Sequence, residues 1–260
     1  MRGSHDSSAS SLSGTALVIG TGGIGAQVCR DLAGQGKKVF HTYHQSRDAA
    51  EELSNSLGSA SAGTSPLDIR DETSIREAVE KAASVLGQVD ILVVTAGHRH
   101  EFARFVDTPA ILAGEILEHE LVGVMSLVRA VLPFQETAGY GRIVLVGSDS
   151  GKAGTACDAV SSAARGGLIS FARSLARETA KDDITINVVC PGPTDTELLH
   201  SMLDAEGTTA KIMQGTVRAI PKRRCGTVGE VSAIVTFLAG DVAGYITGQA
   251  VSVSGGLTMS

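Results

Sequence analysis

The clearest chemical pattern in the chain is a glycine-rich run near its start, Gly20-Thr21-Gly22-Gly23-Ile24-Gly25. The run fits G-x-G-x-x-G, follows a short apolar segment and precedes a helical pattern over residues 26–35. Glycines permit positive φ and a close backbone approach, and a helix N-terminus offers free N–H groups to a phosphate. This context predicts that all six residues bind a dinucleotide, with an ordinary glycine-rich turn as the alternative.

A second pattern concerns the ribose of that dinucleotide. Sites that accept a free 2′-hydroxyl usually carry an acidic residue where the second strand ends. Here the first carboxylate, Asp48, comes only after His44, Ser46 and Arg47, all of which can donate to a phosphate. The sequence therefore favours NADP(H) and predicts that these three residues contact the cofactor. The alternative is that they form an ordinary polar helix start.

The elements that must position these residues alternate along the chain. Short strand-like runs and amphipathic helical segments follow each other in the order βαβαβα, which predicts a parallel sheet with helices on both faces. We therefore expect an α/β fold, a single Rossmann-type doubly wound domain over residues 14–260, with a lid segment at about 194–222. The seven predicted strands cover residues 16–20, 38–43, 59–64, 90–95, 142–147, 185–190 and 250–254.

Composition excludes several classes of partner. The 260 residues are 43% hydrophobic and carry a net charge of −6, without a long basic run that would indicate nucleic acid binding. No apolar stretch approaches the roughly 20 residues of a membrane-spanning helix. Residues 1–13 are small and polar and predict a disordered tail rather than a signal peptide. Four widely separated cysteines favour a reducing cytoplasm. We expect a small-molecule partner and no metal.

From about residue 14 onward, the chain resembles the short-chain dehydrogenase/reductase superfamily. The motifs that carry the resemblance are Leu67-Asp68-Ile69, Thr95-Ala96-Gly97, Gly141-Arg142-Ile143-Val144, Asn187-Val188-Val189-Cys190-Pro191-Gly192, Tyr245-Ile246-Thr247-Gly248-Gln249 and Ser254-Gly255-Gly256. The glycine run itself is one residue shorter than the turn usual in that family.

The resemblance implies a role for each matching residue. It places Asp68 and Ile69 at the adenine, and Ala96 and Gly97 along the cofactor. It places the turn from Pro191 to Gly192 beside the nicotinamide, followed by Thr194 and by Thr196, which matches a threonine that contacts the carboxamide. Self-association into a dimer or tetramer through the helices around 116–132 and 162–179 is likewise an expectation from the family.

The catalytic set departs from the family pattern of Asn, Ser, Tyr and Lys. Only the serine remains, as Ser148, where the resemblance implies a contact to the substrate carbonyl. The tyrosine and lysine positions hold Ser161 and Arg165, and the helical asparagine is replaced by Glu120. Arg165 retains the ability to hydrogen-bond the cofactor ribose, whereas an aliphatic hydroxyl cannot replace a phenol of pKa about 10 as the acid.

The missing acid leaves the source of the proton open. A phenol on the substrate beside the reacting ketone can stabilise the forming alkoxide without any protein acid. Five residues are candidates for a proton donor on the protein, although an interpretation as polar residues at the mouth of a pocket is favoured for them. They are His98, His100, Asp149, Cys157 and Asp158.

We therefore expect an NADPH-dependent ketoreductase that acts on a bulky aromatic polyketide ketone. The Ser-x-x-x-Arg replacement and the overall sequence resemble ketoreductases of angucyclinone antibiotic biosynthesis. Two alternatives stay open, namely a non-catalytic NADP(H)-binding sensor or scaffold that lost its chemistry, and a non-redox lyase or isomerase with Glu120 or a histidine as base.

Overall fold

A computed structural model of the protein describes residues 14–259, so the predicted tail over residues 1–13 lies outside the described residues. Seven parallel strands form one sheet in the order β3-β2-β1-β4-β5-β6-β7. The strands are β1 Thr15–Ile19, β2 Lys38–Tyr43, β3 Ser61–Pro66, β4 Ile91–Val94, β5 Gly141–Val146, β6 Ile184–Pro191 and β7 Ala250–Val253. The predicted fold class is confirmed.

Helices connect successive strands and cover both faces of the sheet. They are α1 Gly23–Gly34, α2 Arg47–Leu57, α3 Glu72–Leu86, α4 Ala110–Leu117, α5 Gly123–Ala138, α6 Ser150–Ala153, α7 Ala159–Thr179, α8 Glu197–Leu203, α9 Thr208–Ala219 and α10 Val228–Leu238. A π-helical turn, Glu118–Val122, joins α4 to α5. The segment 194–222 therefore contains two helices, α8 and α9. Its role as a lid stays a prediction.

The core consists of two apolar layers separated by the sheet. Strand residues such as Leu17 and Leu92 pack against α3, α5 and α7, whereas Val18 and Val93 face α1 and α10. Because both faces of the central strands are buried, these strands are continuous apolar runs rather than alternating ones. Because all seven strands are parallel, the loops that follow them lie together at one edge of the sheet.

The strand order changes direction between β1 and β4. From β1 the chain continues outward through β2 and β3, then returns to place β4 on the other side of β1. The loops after β1 and β4 therefore diverge and leave a crevice at the carboxyl ends of the strands, where open α/β sheets bind their ligands. The predicted cofactor site lies at this point.

Candidate active site

The glycine-rich turn begins directly after β1 and leads into α1. Gly20 has a φ of +88°, which favours glycine, whereas Gly22 has an ordinary extended conformation and Gly23 already begins the helix. A Cβ on Gly25 would stand 2.0 Å from the carbonyl oxygen of Gly20, so the helix approaches the turn too closely for a side chain. The predicted helix start at residue 26 was therefore three residues late. No acidic side chain occupies the first turn of α1, which leaves its N–H groups available to an anion.

A cavity opens beside this turn. Its lining combines the end of β1, the end of β2, the predicted adenine element and the start of the loop after β4, together with one histidine from the π-helical turn. The lining residues are Ile19, Gly20, Thr42, Tyr43, His44, Leu67, Ile69, Ala96 and His119. Four predicted cofactor residues, Gly20, His44, Ile69 and Ala96, thus share one cavity. His119 was not predicted, because nothing in its local sequence marks it.

The charged groups near His44 are partly paired with each other. Arg47 contacts Glu51 at 2.7 Å on the exposed start of α2, while Ser46 stands at the N-cap without a side-chain capping bond. Arg70, which sequence reasoning missed, contacts Asp68 at 2.9 Å, and hydrogen bonds from Arg70 hold the pKa of Asp68 at about 2. Arg47 and Arg70 are therefore each paired with a carboxylate of the protein.

The loop after β6 approaches the glycine-rich turn from the other side. Thr194 donates from its hydroxyl to the carbonyl of Gly192 at 2.9 Å, and Thr196 caps α8 by accepting from the Leu199 amide at 3.2 Å. The methyl group of Thr196 lies 3.3 Å from the position that a Cβ on Gly23 would occupy. The structure thus brings the loop from Pro191 to Thr196 against the glycine-rich turn.

Ser148 follows β5 at the same edge of the sheet. Its Oγ accepts hydrogen bonds from the Ser150 amide at 3.2 Å and from the Ser150 hydroxyl at 3.0 Å. Asp149, beside it, accepts from the Thr258 hydroxyl at 3.3 Å, and burial raises the pKa of the Asp149 carboxyl above its usual value. The Ser148 hydroxyl therefore has a fixed position, and its role as a carbonyl contact stays a prediction.

Glu120, Ser161 and Arg165 form one buried cluster. The guanidinium of Arg165 donates to both carboxylate oxygens of Glu120, at 2.7 and 3.1 Å, and to the carbonyl of Val146 at 3.1 Å. Ser161 donates to the same carboxylate at 2.7 Å, and the amide of His98 does so at 3.0 Å. Burial opposes the charge on Glu120, but Arg165 and these donors outweigh it and lower the pKa of the carboxyl.

This cluster gives Ser161 and Arg165 hydrogen-bond partners within the protein. The Ser161 hydroxyl donates to a carboxylate, and the guanidinium of Arg165 is directed to Glu120 and Val146 while its side chain is 10% exposed. The Glu120 side chain is 2% exposed, so the carboxylate is buried within this cluster. Arg165 as a ribose contact and Ser161 as a catalytic position stay predictions.

The histidines of the loop after β4 lie next to this cluster. His100 Nε2 is 2.7 Å from Asp158 Oδ1, and both side chains are buried. The His98 ring lies 5.6 Å from that of His100 and 5.7 Å from that of His119, so the three rings form a continuous row. Cys157 has a φ of +62°, an uncommon conformation outside glycine, and its carbonyl accepts from the Ala103 amide.

Within residues 14–259, no group of three or more His, Cys, Asp or Glu residues is arranged to hold a metal ion. In the same range, no helix has both the length and the hydropathy needed to cross a membrane.

Comparisons with known proteins identify relatives over nearly the whole chain. A family model described as enoyl-(acyl carrier protein) reductase matches residues 18–258. The 3-oxoacyl-[acyl-carrier-protein] reductase of Escherichia coli is 36% identical over 247 residues, covering 94% of this chain and 97% of that protein. The ketoacyl reductase named for the monensin polyketide synthase of Streptomyces virginiae is 35% identical over 257 residues, covering 95% and 98%.

A solved structure extends the comparison to the backbone. The crystal structure of an actinorhodin polyketide ketoreductase variant with NADPH superimposes with a TM-score of 0.86 at 30% identity. The match covers 94% of this chain and 97% of that chain. The similarity therefore includes the carboxyl edge of the sheet, where the candidate site lies.

Proposed function

The chain belongs to the short-chain dehydrogenase/reductase superfamily, and from that membership we propose that it is an NADPH-dependent ketoreductase acting on an aromatic polyketide ketone. The observation that carries the proposal is the glycine-rich turn packed against the β6 loop at the point where the strand order reverses. Relatives named as ketoacyl reductases, and one crystallised with NADPH, support the reaction class.

The residues present fit this cofactor. A Cβ on Gly22 would meet nothing within 4 Å, so the turn has open space at its N-cap glycine for a pyrophosphate, and the first turn of α1 carries no acid. His44, Ser46 and Arg47 would hold the 2′-phosphate, Asp68, Ile69, Ala96 and Gly97 the adenosine side, and Pro191, Gly192, Thr194 and Thr196 the nicotinamide. When bound, NADPH supplies a hydride to the carbonyl carbon.

The proton has to come from a different group, because Ser161 is hydrogen-bonded to Glu120 and is a poor acid. We propose that the substrate carries a phenol next to the reacting ketone, as in an angucyclinone. The phenol donates its proton to the carbonyl oxygen as the carbon is reduced, and the resulting phenolate regains a proton from solvent. Ser148 binds the same carbonyl oxygen through its hydroxyl and holds that oxygen in position beside the phenol.

Label transfer tests the reaction. With stereospecifically deuterated NADPH and a panel of hydroxylated polycyclic aryl ketones, we expect deuterium on the carbinol carbon of the product, detected by mass spectrometry. We also expect Ser161→Ala to transfer the label, because Ser161 is not the acid. Tight NADPH binding without label transfer to any ketone of a broad panel would support the sensor or scaffold alternative instead.

Cofactor choice gives a separate prediction. His44 lines the cavity and lies 3.7 Å from Asp68, so a second carboxylate at this position would repel a 2′-phosphate. We expect His44→Asp to lower kcat/KM for NADPH about tenfold relative to NADH, measured as initial rates with both cofactors. Asn55→Asp, at an exposed position near the C-terminal end of α2 and outside the cavity lining, is the matched control, because it adds the same charge away from His44, Ser46 and Arg47. Equal effects of the two substitutions would contradict the assignment of His44.

A further inference from the structure

The loop after β4, residues 95–104, is attached to two other elements by contacts that the proposed reaction does not use. We call it the β4 loop. His100 contacts Asp158, at the N-terminus of α7, at 2.7 Å. The amide of Phe102 donates to the hydroxyl of Thr209 in α9 at 2.8 Å, and the amide of Ala103 donates to the carbonyl of Cys157 at 2.9 Å. The β4 loop thus joins α7 to the predicted lid segment.

These contacts are buried. The side chains of His100 and Asp158 are 8% and 9% exposed, and Phe102 and Thr209 are 7% and 4% exposed. A buried donor or acceptor that loses its partner costs more free energy than an exposed one, because water cannot replace the bond. Lifting α9 away from the β4 loop therefore has a cost that depends on the Thr209 hydroxyl.

The β4 loop also lies at the edge of the candidate site. A Cβ on Gly97 would stand 2.9 Å from a guanidinium nitrogen of Arg165, and the amide of His98 donates to Glu120. Asp158 is the N-cap of α7 and precedes Ser161 by three residues. Ser161 and Arg165 are four residues apart and lie on one face of the helix. The His100–Asp158 contact is thus one helical turn from the position where the family carries its tyrosine.

The charge state of His100 depends on groups from three elements. Asp158 faces it from α7, Glu120 from the π-helical turn and His98 from the β4 loop itself. Burial opposes protonation of His100, but the hydrogen bond and the charge of Asp158, with help from Glu120, outweigh burial and raise the pKa of His100 above its usual 6.5. The contact to Asp158 is therefore strongest when the imidazole is protonated.

We propose that Thr209 and the His100–Asp158 pair are positioning residues that hold the lid segment closed over the ketone. They thereby set the affinity of the protein for the ketone. This inference rests on the proposed ketoreductase activity. Neither Thr209 nor Asp158 is required to touch the reacting atoms. Both act by fixing the β4 loop, which forms one side of the site, against α9 and α7.

Replacing Thr209 by valine removes the acceptor while keeping the shape of the side chain. We expect the KM for the ketone to rise about three- to tenfold, the range for loss of one buried neutral hydrogen bond, with kcat changed less than twofold. Thr208→Val, at the exposed neighbouring position on the same helix, is the control and is expected to leave both constants unchanged. Thr209→Ser, which restores an acceptor, is expected to recover most of the affinity.

The pH dependence provides a second readout. The raised pKa of His100 means that its contribution is complete below pH 6.5 and is lost as the pH rises through the higher value in the folded protein. We expect the KM for the ketone to increase over that interval in the wild type. Asp158→Asn is expected to abolish this increase and to raise the KM at pH 6 by about tenfold, whereas the exposed Asp107→Asn keeps the wild-type profile.

Hydrogen exchange separates failure of this inference from failure of the proposed activity. In full-length protein with saturating NADPH and no ketone, we expect Thr209→Val to speed exchange in peptides covering residues 98–104 and 208–219, and Thr208→Val not to do so. Faster exchange without turnover of any ketone would overturn the activity while supporting the attachment of the lid. Unchanged exchange, or a lower kcat at an unchanged KM, would overturn the positioning role.

Discussion

Replacing Arg165 by methionine is expected to lower the free energy of unfolding by about 3–5 kcal/mol, because it leaves the carboxylate of Glu120 buried without its counter-charge. The two side chains are 10% and 2% exposed, so water cannot compensate for the loss. Urea titrations at fixed protein concentration and pH 7 measure the change. Arg173→Met, at an exposed position on the same helix, is the control and is expected to change stability by less than about 0.5 kcal/mol.

A double variant separates the unpaired charge from the lost packing. Glu120→Gln combined with Arg165→Met removes both charges, and we expect it to recover most of the stability that Arg165→Met loses. The depressed pKa of Glu120 adds a pH test: the stability that this ionised group contributes is present above its ordinary value of 4.5 and is lost as the pH falls through the lower folded value. A single variant as stable as the Arg173→Met control would show that the ion pair has no structural role.

We expect a single Ser161→Tyr substitution to be poorly accommodated beside this buried pair. Ser161 is 6% exposed and donates to Glu120, so a tyrosine at this position would enter space that the cluster already occupies. Arg165 satisfies both oxygens of the same carboxylate. Glu120, Ser161 and Arg165 thus form one hydrogen-bonded unit with balanced charge, and changing any one of them removes a buried partner from the others.

The central strands could be predicted from sequence because buried strands are continuous runs of apolar residues. Residues 91–94 are all apolar and all buried, and the predicted run at 90–95 differs from the strand by one residue at each end. The edge strand Ser61–Pro66 was placed two residues too early, since it contains few apolar side chains and pairs only with β2. Its register is set by the neighbouring strand rather than by its own sequence.

Contacts distant in sequence could not be predicted in the same way. Asp158 and His100 are 58 residues apart, and Arg165 and Glu120 are 45 apart. Each of these side chains has an ordinary polar interpretation in its own segment, and only the return of the chain from β4 through α5 to α7 brings them together. The start of α1 at Gly23 was missed for a related reason, because packing against the sheet overrides the low helix propensity of glycine.

Methylation of the phenol beside the reacting ketone is expected to lower kcat/KM by about 10²–10⁴, the usual contribution of a positioned acid. The physical reason is that Ser161 is held by Glu120, so when the substrate loses its own donor the alkoxide has no strong acid nearby. That loss corresponds to about 3–5 kcal/mol of barrier at 1.36 kcal/mol per tenfold. Initial rates with the free phenol and its methyl ether, at equal NADPH, give the ratio.

The control is a methyl ether at a phenol remote from the carbonyl, which adds the same bulk without removing the proton. If the adjacent ether alone loses activity while the remote ether retains it, the substrate is the acid. If both ethers are reduced as fast as the free phenol, the proton comes from the protein, and His100, whose pKa is raised by its contact with Asp158, becomes the first group to replace. Deuterium from labelled NADPH should appear at the carbinol carbon in either case, because the hydride donor is the same. The comparison therefore separates the path of the proton from the path of the hydride.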